Sequence, residues 1–334
     1  MRSRQYRFGS GRVASLALLV VLSTHHGAPA LRAQQHPSTL TTGFETIQIR
    51  PNVYVIFGAG SNVTVHVGED GLIVVDSGSG DMAESLLGTI KRISSRPIRL
   101  VINTSADADH VGGNAVIGSA GVPMSPDPFA RESHATVLAH ENVLHRMSAP
   151  TGRPSPFPEK AWPTETFTSR FRSLFINGDS VQVIRQTGAH SDSDLMVLFR
   201  KADVIVTGDI VDLRQFPVID RARGGSIQGE LDALNRLLTE LVVPNVPQVL
   251  QAGGTLVVPG HGYVSDYGEI VEYRDMLTVI TDVIRDLVEK GMTLDQVEAA
   301  NPTKGYRLRY GSDTGKWTTA KFVEAVFSDL SRRQ

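Results

Sequence analysis

A cluster of carboxylate and imidazole side chains follows an apolar run near position 100. Residues 98–103 are typical of a buried strand, and Asp107, Asp109 and His110 come shortly after it, ahead of a glycine pair. Carboxylates and imidazoles bind zinc in catalytic sites, where three of them leave a position for water. The stretch therefore indicates metal-dependent hydrolysis, in which an ion makes hydroxide available near neutral pH.

Similar residues recur where later apolar runs end. His190 follows a Gly-Ala pair, Asp209 a Thr-Gly pair and His261 a Pro-Gly pair. An Asp-His pair alone is most often an ordinary turn, but this ordered recurrence favours one shared site, because loops at neighbouring strand ends converge. Asp109, His110 and His261 supply the three ligands that a catalytic zinc requires.

The stretch around Asp109 resembles the signature of the metallo-β-lactamase superfamily, His-x-His-x-Asp-His followed by Gly-Gly-Asn. Asp109 and His110 match its last two ligand positions. Ser105 and Asp107 stand where the pattern has its first two histidines. The similarity extends over about residues 42–267, and the order of the motifs is more specific for the fold than for a substrate.

The resemblance also implies a role for each ligand-type residue. It places one ion on Asp109, His110 and His261, and it makes Asp209 a carboxylate that bridges two ions. His190 corresponds to the only histidine of the other ion that this chain keeps. The strand motif that ends in Asp76 resembles one whose carboxylate lies beneath the site and supports it.

Three descriptions of the site remain open. In the preferred description, the site has places for two ions and is fully or partly loaded. One ion is held by Asp107, His190 and Asp209, and the other by Asp109, His110, Asp209 and His261. In the second, one ion occupies the Asp109 set, and Ser105 and Asp107 hydrogen-bond around its water. The third is an empty scaffold, which is disfavoured because unpaired carboxylates in one cleft repel each other.

Roles in catalysis follow from these descriptions. Asp107 or Asp109 is expected to orient the attacking water and accept its proton. His190 is a ligand if two ions bind, or an oxyanion donor if one does, and Asp194 is expected to hydrogen-bond near the site. The chain has no cysteine, so only imidazole and carboxylate groups are left as strong ligands. Zinc is the expected ion, and iron or manganese also suits such ligands.

Composition and the N-terminal residues indicate an exported protein. The 334 residues are 41% hydrophobic and 20% charged, as expected for a globular chain. Residues 1–33 resemble a signal peptide, with a basic start, a short apolar run and small residues before a cleavage site after Ala33. The run is shorter than the ~20 residues that span a bilayer. Removing this basic segment makes the mature chain more acidic than the formal net charge of −2, which disfavours nucleic acid as a partner. We expect a periplasmic or secreted protein without a stable membrane anchor.

The elements predicted around the site are strands and helices in mixture. Short β-branched runs at 52–57, 62–67 and 72–76 predict an antiparallel meander. Further strands are predicted at 181–184, 195–199, 204–206 and 256–258, and helices at 82–93, 132–147, 226–242, 271–290 and 319–331. The proline-rich segment 149–168 is expected to be irregular. Residues 34–334 are expected to form a single α+β domain, a four-layer αββα sandwich with a helical C-terminal part from about 271 to 334.

The sequence therefore predicts an exported metal-dependent hydrolase acting on a small ester, thioester, lactam or similar substrate. One alternative is a redox protein with two metal ions, because carboxylate-rich sites suit iron. The other is a binding protein on an inherited scaffold, which Ser105 and Asp107 favour. The remaining histidines, His66, His134, His140 and His145, are expected to be packing or surface residues, and Phe157, Trp162 and Phe167 to shape a substrate entrance.

Overall fold

The fold was analysed in a computed structural model, which describes residues 43–125, 133–149, 153–244 and 253–332. The predicted signal peptide lies outside these ranges. None of the helices in the described ranges combines the length and apolar character needed to cross a bilayer.

The first sheet has seven strands, which lie side by side in chain order. They are β1 Glu45–Arg50, β2 Val53–Ala59, β3 Ser61–Gly68, β4 Gly71–Val75, β5 Ile98–Ile102, β6 Thr136–His140 and β7 Glu165–Phe167. The pairs from β1 to β4 are antiparallel, which confirms the predicted meander. The pairs from β4 to β7 are parallel, so the chain must cross over between these strands.

The second sheet has five strands in the order β12-β11-β10-β9-β8. They are β8 Phe171–Ile176, β9 Asp179–Arg185, β10 Leu195–Phe199, β11 Val204–Asp212 and β12 Leu256–His261. Neighbours from β8 to β11 pair antiparallel, and β11 pairs with β12 in parallel. The carboxyl ends of β11 and β12 therefore meet at one edge of the sandwich.

Helices cover the outer faces of the two sheets. They are α1 Ala83–Ile93, α2 Ala108–Val111, α3 Asn114–Ser119, α4 Glu141–Ser148, α5 Ile227–Arg236, α6 Tyr267–Glu289, α7 Leu294–Ala300, α8 Arg307–Tyr310 and α9 Thr319–Ser331. A turn of π-helix at Leu237–Leu241 continues α5. Helix α6 begins four residues before the predicted helix, because the Asp266 side chain accepts hydrogen bonds from the backbone N–H groups of Gly268 and Glu269.

Apolar runs that are buried on both faces explain why the sheets form the middle layers. In β4, Ile73 and Val75 point into the core between the sheets, whereas Val74 packs on the α1 side. In β10, Val197 points into the same inter-sheet core, and Met196 packs with α5, α6 and α9. This arrangement confirms the predicted αββα layers.

Two local predictions were wrong. The segment 132–147 is not one helix, because residues 136–140 form β6 and pair with β5 and β7. His140 then accepts a hydrogen bond from the Asn142 N–H and caps α4, so the helix begins only at Glu141. The proline-rich segment is partly ordered: within the described residues it contains a 3-10 turn at Glu159–Ala161 and the edge strand β7.

Candidate metal centre

All six predicted ligand residues lie at one edge of the sandwich, and both sheets contribute. Asp107, Asp109 and His110 belong to the turn and short helix after β5. His190 lies in the loop between β9 and β10, and Asp209 and His261 lie within β11 and β12. These two strands were expected to end before their ligand residues, but a register shift near Gly208 lets the pairing continue through them.

The side chains form two groups that have metal-binding geometry. The first is Asp107, His190 and Asp209, and the second is Asp109, His110 and His261; within each group one ligand atom per residue lies within 4.8 Å of the others. Asp209 joins the groups, because its Oδ1 lies 3.1 Å from His110 Nε2 and 3.3 Å from His261 Nε2. His261 Nε2 lies 3.1 Å from Asp109 Oδ2.

Asp76 holds His110 from below. Its carboxylate is fully buried and accepts hydrogen bonds from Thr104 N at 2.8 Å, Thr104 Oγ1 at 2.7 Å and His110 Nδ1 at 2.8 Å. The backbone of Asp76 is left-handed, with φ of 62°, a conformation that Asp tolerates better than most residues. This contact fixes the proton of His110 on Nδ1 and leaves Nε2 free to bind an ion.

Two buried polar atoms face each other between the groups without a hydrogen bond. His110 Nε2 and Asp209 Oδ1 are both inaccessible to solvent and lie 3.1 Å apart, but neither makes a hydrogen bond of acceptable geometry with any of the described residues. Buried polar atoms without partners are costly and rare in folded proteins. A cation held by His110, Asp209, His261 and Asp109 would satisfy both atoms, so these four residues fit a metal ion.

Gly260 gives the strand ends the space to approach each other. A Cβ atom at this position would lie 2.5 Å from Asp209 Oδ1 and 2.7 Å from the carbonyl carbon of Gly208. Any side chain would therefore push β11 away from β12 beside the ligands. The Pro-Gly-His motif thus supplies close backbone packing as well as a histidine.

The other group contains an arginine that the sequence did not reveal. Asp107 Oδ2 lies 2.7 Å from His190 Nε2, and Asp107 Oδ1 lies 2.5 Å from the Arg223 guanidinium. His190 Nδ1 donates to the Val218 carbonyl at 2.7 Å. Arg223 precedes a Gly-Gly turn, where an arginine has no recognisable signature, so only the folded chain shows this pair.

Ser105 and Asp194 lie close to the ligands but bond to the chain. Ser105 Oγ accepts from the Asp107 N–H at 3.1 Å, as a turn-forming hydroxyl does. The Asp194 carboxylate accepts from Ser191 N at 2.8 Å and Ser191 Oγ at 2.6 Å, and so fixes the loop that carries His190. Burial raises the pKa of Asp194 to about 6.

Strong electrostatic coupling accompanies this geometry. Burial raises the pKa of Asp107, but the hydrogen bond and charge of His190, together with Arg223, outweigh it and lower the pKa to about 2. Burial lowers the pKa of His190, yet its carboxylate neighbours raise it to about 10. Although burial opposes it, the neighbouring histidines keep the pKa of Asp209 far below its ordinary value. Burial likewise opposes ionisation of Asp109, but its hydrogen bond with His261 and the charge of His110 lower its pKa. All three carboxylates are therefore ionised and available to a cation.

A cavity of about 720 Å³ opens beside Arg223. Its wall includes Ala106, His145, Arg146, Arg153 and Phe157. A role for Phe157 at a substrate entrance stays a prediction. His145, expected to be a packing or surface residue, is also part of the cavity wall.

The other aromatic and histidine predictions have mixed outcomes. Trp162 packs on a small core at α4, and Phe167 lies in the inter-sheet core, away from any entrance. His66 is buried and stacks on Phe199 with ring centroids 4.8 Å apart, as expected of a packing residue. His134 is exposed, and His140 is the helix cap described above.

Comparison with known proteins agrees with the fold. The metallo-beta-lactamase superfamily profile matches residues 56–269, and the chain belongs to this superfamily, whose members often bind divalent metals such as zinc. No curated protein sequence matches the chain.

Two solved structures illustrate the similarity of fold. A metallo-beta-lactamase from Pontibacter korlensis has 19% identity and a TM-score of 0.54, covering 70% of this chain and 99% of that one. A stereoselective inverting sec-alkylsulfatase from a Pseudomonas species has 14% identity and a TM-score of 0.60, covering 85% of this chain and 49% of the sulfatase. This chain thus matches about half the length of the sulfatase.

Proposed function

We propose that the protein is a metal-dependent hydrolase that cleaves a small ester, thioester, lactam or related bond. The observation that carries this proposal is the convergence of Asp109, His110, Asp209 and His261 from two sheets, with buried ligand atoms that lack other partners. When bound, a divalent ion lowers the pKa of a neighbouring water and polarises the substrate oxygen. Zinc is the ion we expect, and iron or manganese would suit the same ligands.

The residues of the chain then position and deprotonate the attacking water. Asp109 is the ligand-group carboxylate most open to solvent, with 35% of its side chain exposed. It can therefore receive a proton from water and release it to solvent. Asp209 and His110 are buried and held by neighbours, so they are suited to binding rather than to proton exchange.

The cavity beside the site favours a substrate with a negative charge. Its wall carries three guanidinium groups. Arg146 pairs with Asp192 and Arg223 with Asp107 and Asp220, whereas Arg153 has no ion pair among the described residues. Guanidinium groups bind carboxylate, sulfate and phosphate oxygens in preference to neutral groups. Alanine, proline and phenylalanine side chains supply apolar contacts on the same wall. We infer an anionic substrate with a small apolar body.

Metal analysis combined with hydrolysis assays tests the function. Asp109→Ala and His261→Ala are each expected to lose bound zinc and hydrolysis together, whereas His134→Ala, an exposed histidine far from the motifs, keeps both. The substrate panel pairs neutral with carboxylate-bearing esters, thioesters and β-lactams, and includes a sec-alkyl sulfate. Unchanged metal content in both ligand variants would contradict the proposal. Iron with a visible absorption band in aerobically purified protein would favour the redox alternative instead.

We further propose that the protein is exported after cleavage following Ala33. The basic residues, apolar run and small residues of positions 1–33 support this. Expression in a Gram-negative host, fractionation and N-terminal sequencing test it. Protein that keeps Met1 in the cytoplasmic fraction would contradict export without affecting the proposed chemistry.

A further inference from the structure

Arg223 contacts the candidate centre directly from the wall of the adjoining cavity. Its guanidinium contacts Asp107 Oδ1 at 2.5 Å, while Asp107 Oδ2 faces His190. Both oxygens of the Asp107 carboxylate are thus engaged by side chains of the protein. An ion bound to Asp107, His190 and Asp209 would have to share Asp107 with a permanent positive charge.

The position of Arg223 is fixed by its own turn. Its backbone N–H donates to Asp220 Oδ1 at 3.0 Å, and its Nε donates to Asp220 Oδ2. The Arg223 carbonyl accepts from Asp192 N at 2.9 Å and from the Arg146 guanidinium at 3.2 Å. Because Asp220 already holds the Arg223 side chain, its guanidinium can stay beside Asp107 with little further loss of side-chain conformational entropy.

Arg223 occupies the space and the carboxylate oxygen that a second ion would need. Its guanidinium lies between Asp107 and Asp220, so one of its partners is a candidate metal ligand. A second divalent ion on Asp107 would lie close to this guanidinium, in a partly buried site where repulsion between the two positive charges is poorly screened. The two groups also differ in the number of ligands that they offer. The Ser105 hydroxyl accepts a hydrogen bond from the Asp107 N–H, and it adds no carboxylate or imidazole to the Asp107 group.

We propose that the centre binds one divalent ion per chain, on Asp109, His110, Asp209 and His261, and that the Arg223 guanidinium takes the place of a second ion beside Asp107 and His190. This inference rests on the proposed function, since it specifies how the hydrolase is loaded. It replaces the two-ion description that the motifs alone favoured.

Counting bound metal tests the proposal directly. Protein stripped with a chelator is titrated with Zn²⁺ by calorimetry, and the zinc retained after dialysis is measured by mass spectrometry. We expect one equivalent for the wild type and for Arg223→Lys, which keeps the charge. Arg223→Ala is expected to bind a second, weaker equivalent. Arg153→Ala is the matched control, because Arg153 lines the same cavity but takes no part in the ion pairs of Arg223 with Asp107 and Asp220, and it should still bind one.

His190→Ala gives an independent measurement if Arg223→Ala proves unable to fold, as judged by circular dichroism. With a single ion on the Asp109 group, His190→Ala keeps one equivalent with affinity close to that of the wild type. Two equivalents in the wild type, or one in a folded Arg223→Ala protein, would overturn the inference and leave the proposed function standing. A large loss of affinity in His190→Ala would also overturn it. A wild-type protein that binds none of zinc, iron or manganese would instead remove the proposed function.

Discussion

Replacing Asp76 with asparagine is the most informative change to the residues that support the centre. Asparagine has nearly the same shape and tolerates the left-handed backbone at this position. Its oxygen can still accept from the Thr104 N–H, but its amide group then donates where the carboxylate accepted from His110 Nδ1. His110 must therefore carry its proton on Nε2, which is the atom that faces Asp209 and the expected ion.

The size of the effect follows from this change of tautomer. Loss of a residue that orients a metal-bound histidine typically weakens metal binding by about 10- to 100-fold, which corresponds to roughly 1.4 to 2.7 kcal/mol. We expect zinc affinity, measured by competition with a chromophoric chelator, to fall within this range. The folded protein should also lose stability, because a buried charged acceptor of several hydrogen bonds has been replaced.

Asp179→Asn is the matched control. Asp179 is also a buried aspartate, and it accepts from the backbone N–H groups of Lys201 at 2.7 Å and Ala202 at 3.1 Å, so its replacement lowers stability without changing zinc affinity. The reasoning about His110 is refuted if folded Asp76→Asn protein binds zinc as tightly as the wild type.

Three further changes test burial and packing. Burial raises the pKa of Glu230 well above its ordinary value, so the folded chain keeps a proton that the unfolded chain loses, and the free energy of unfolding falls as the pH rises above that ordinary value. Glu230→Met should therefore raise the free energy of unfolding by about 1 kcal/mol or more, and the increase measured by urea unfolding should be larger at pH 8 than at pH 5. An equal increase at both pH values would disprove burial of the carboxyl group as the cause. Phe216 is buried and stacks on Phe322 with ring centroids 4.7 Å apart, so Phe216→Ala should lower the free energy of unfolding in urea by about 3 to 5 kcal/mol. Phe175→Ala, at an exposed position, is the control, and an equally small loss in both variants would count against this packing. Gly260→Ala should displace Asp209 and weaken zinc binding in the same chelator assay, and unaltered affinity would show that the strands can adjust.

The sequence predicted the layers of the fold because apolar runs such as that of β10 are long enough to be buried on both faces. It failed at β6, where a short apolar strand passes directly into α4. Five residues of strand followed by eight of helix give apolar spacings that a single helix also explains, and only the pairing with β5 and β7 decides between them. Pairing between distant segments is not visible in local periodicity.

The ligand-type residues were also found from the sequence, because each lies next to a glycine-containing motif near a strand end. Arg223 was not, since its significance depends on contact with Asp107, which is distant along the chain. Thr104 was missed for a similar reason: it acts through Asp76 and has no motif of its own. Residues that bind could be recognised by type, whereas residues that position them required the folded structure.

The division of the candidate ligands between the sheets has a mechanical consequence. Asp109 and His110 follow the first sheet, and Asp209 and His261 belong to the second, so a bound cation fastens the two halves of the sandwich together along one edge. Because it binds the folded chain and not the unfolded one, its binding free energy adds to the work of separating them. Such a protein would resist unfolding best where the ion is plentiful, and a chelator would loosen that edge while the apolar packing between the sheets still holds.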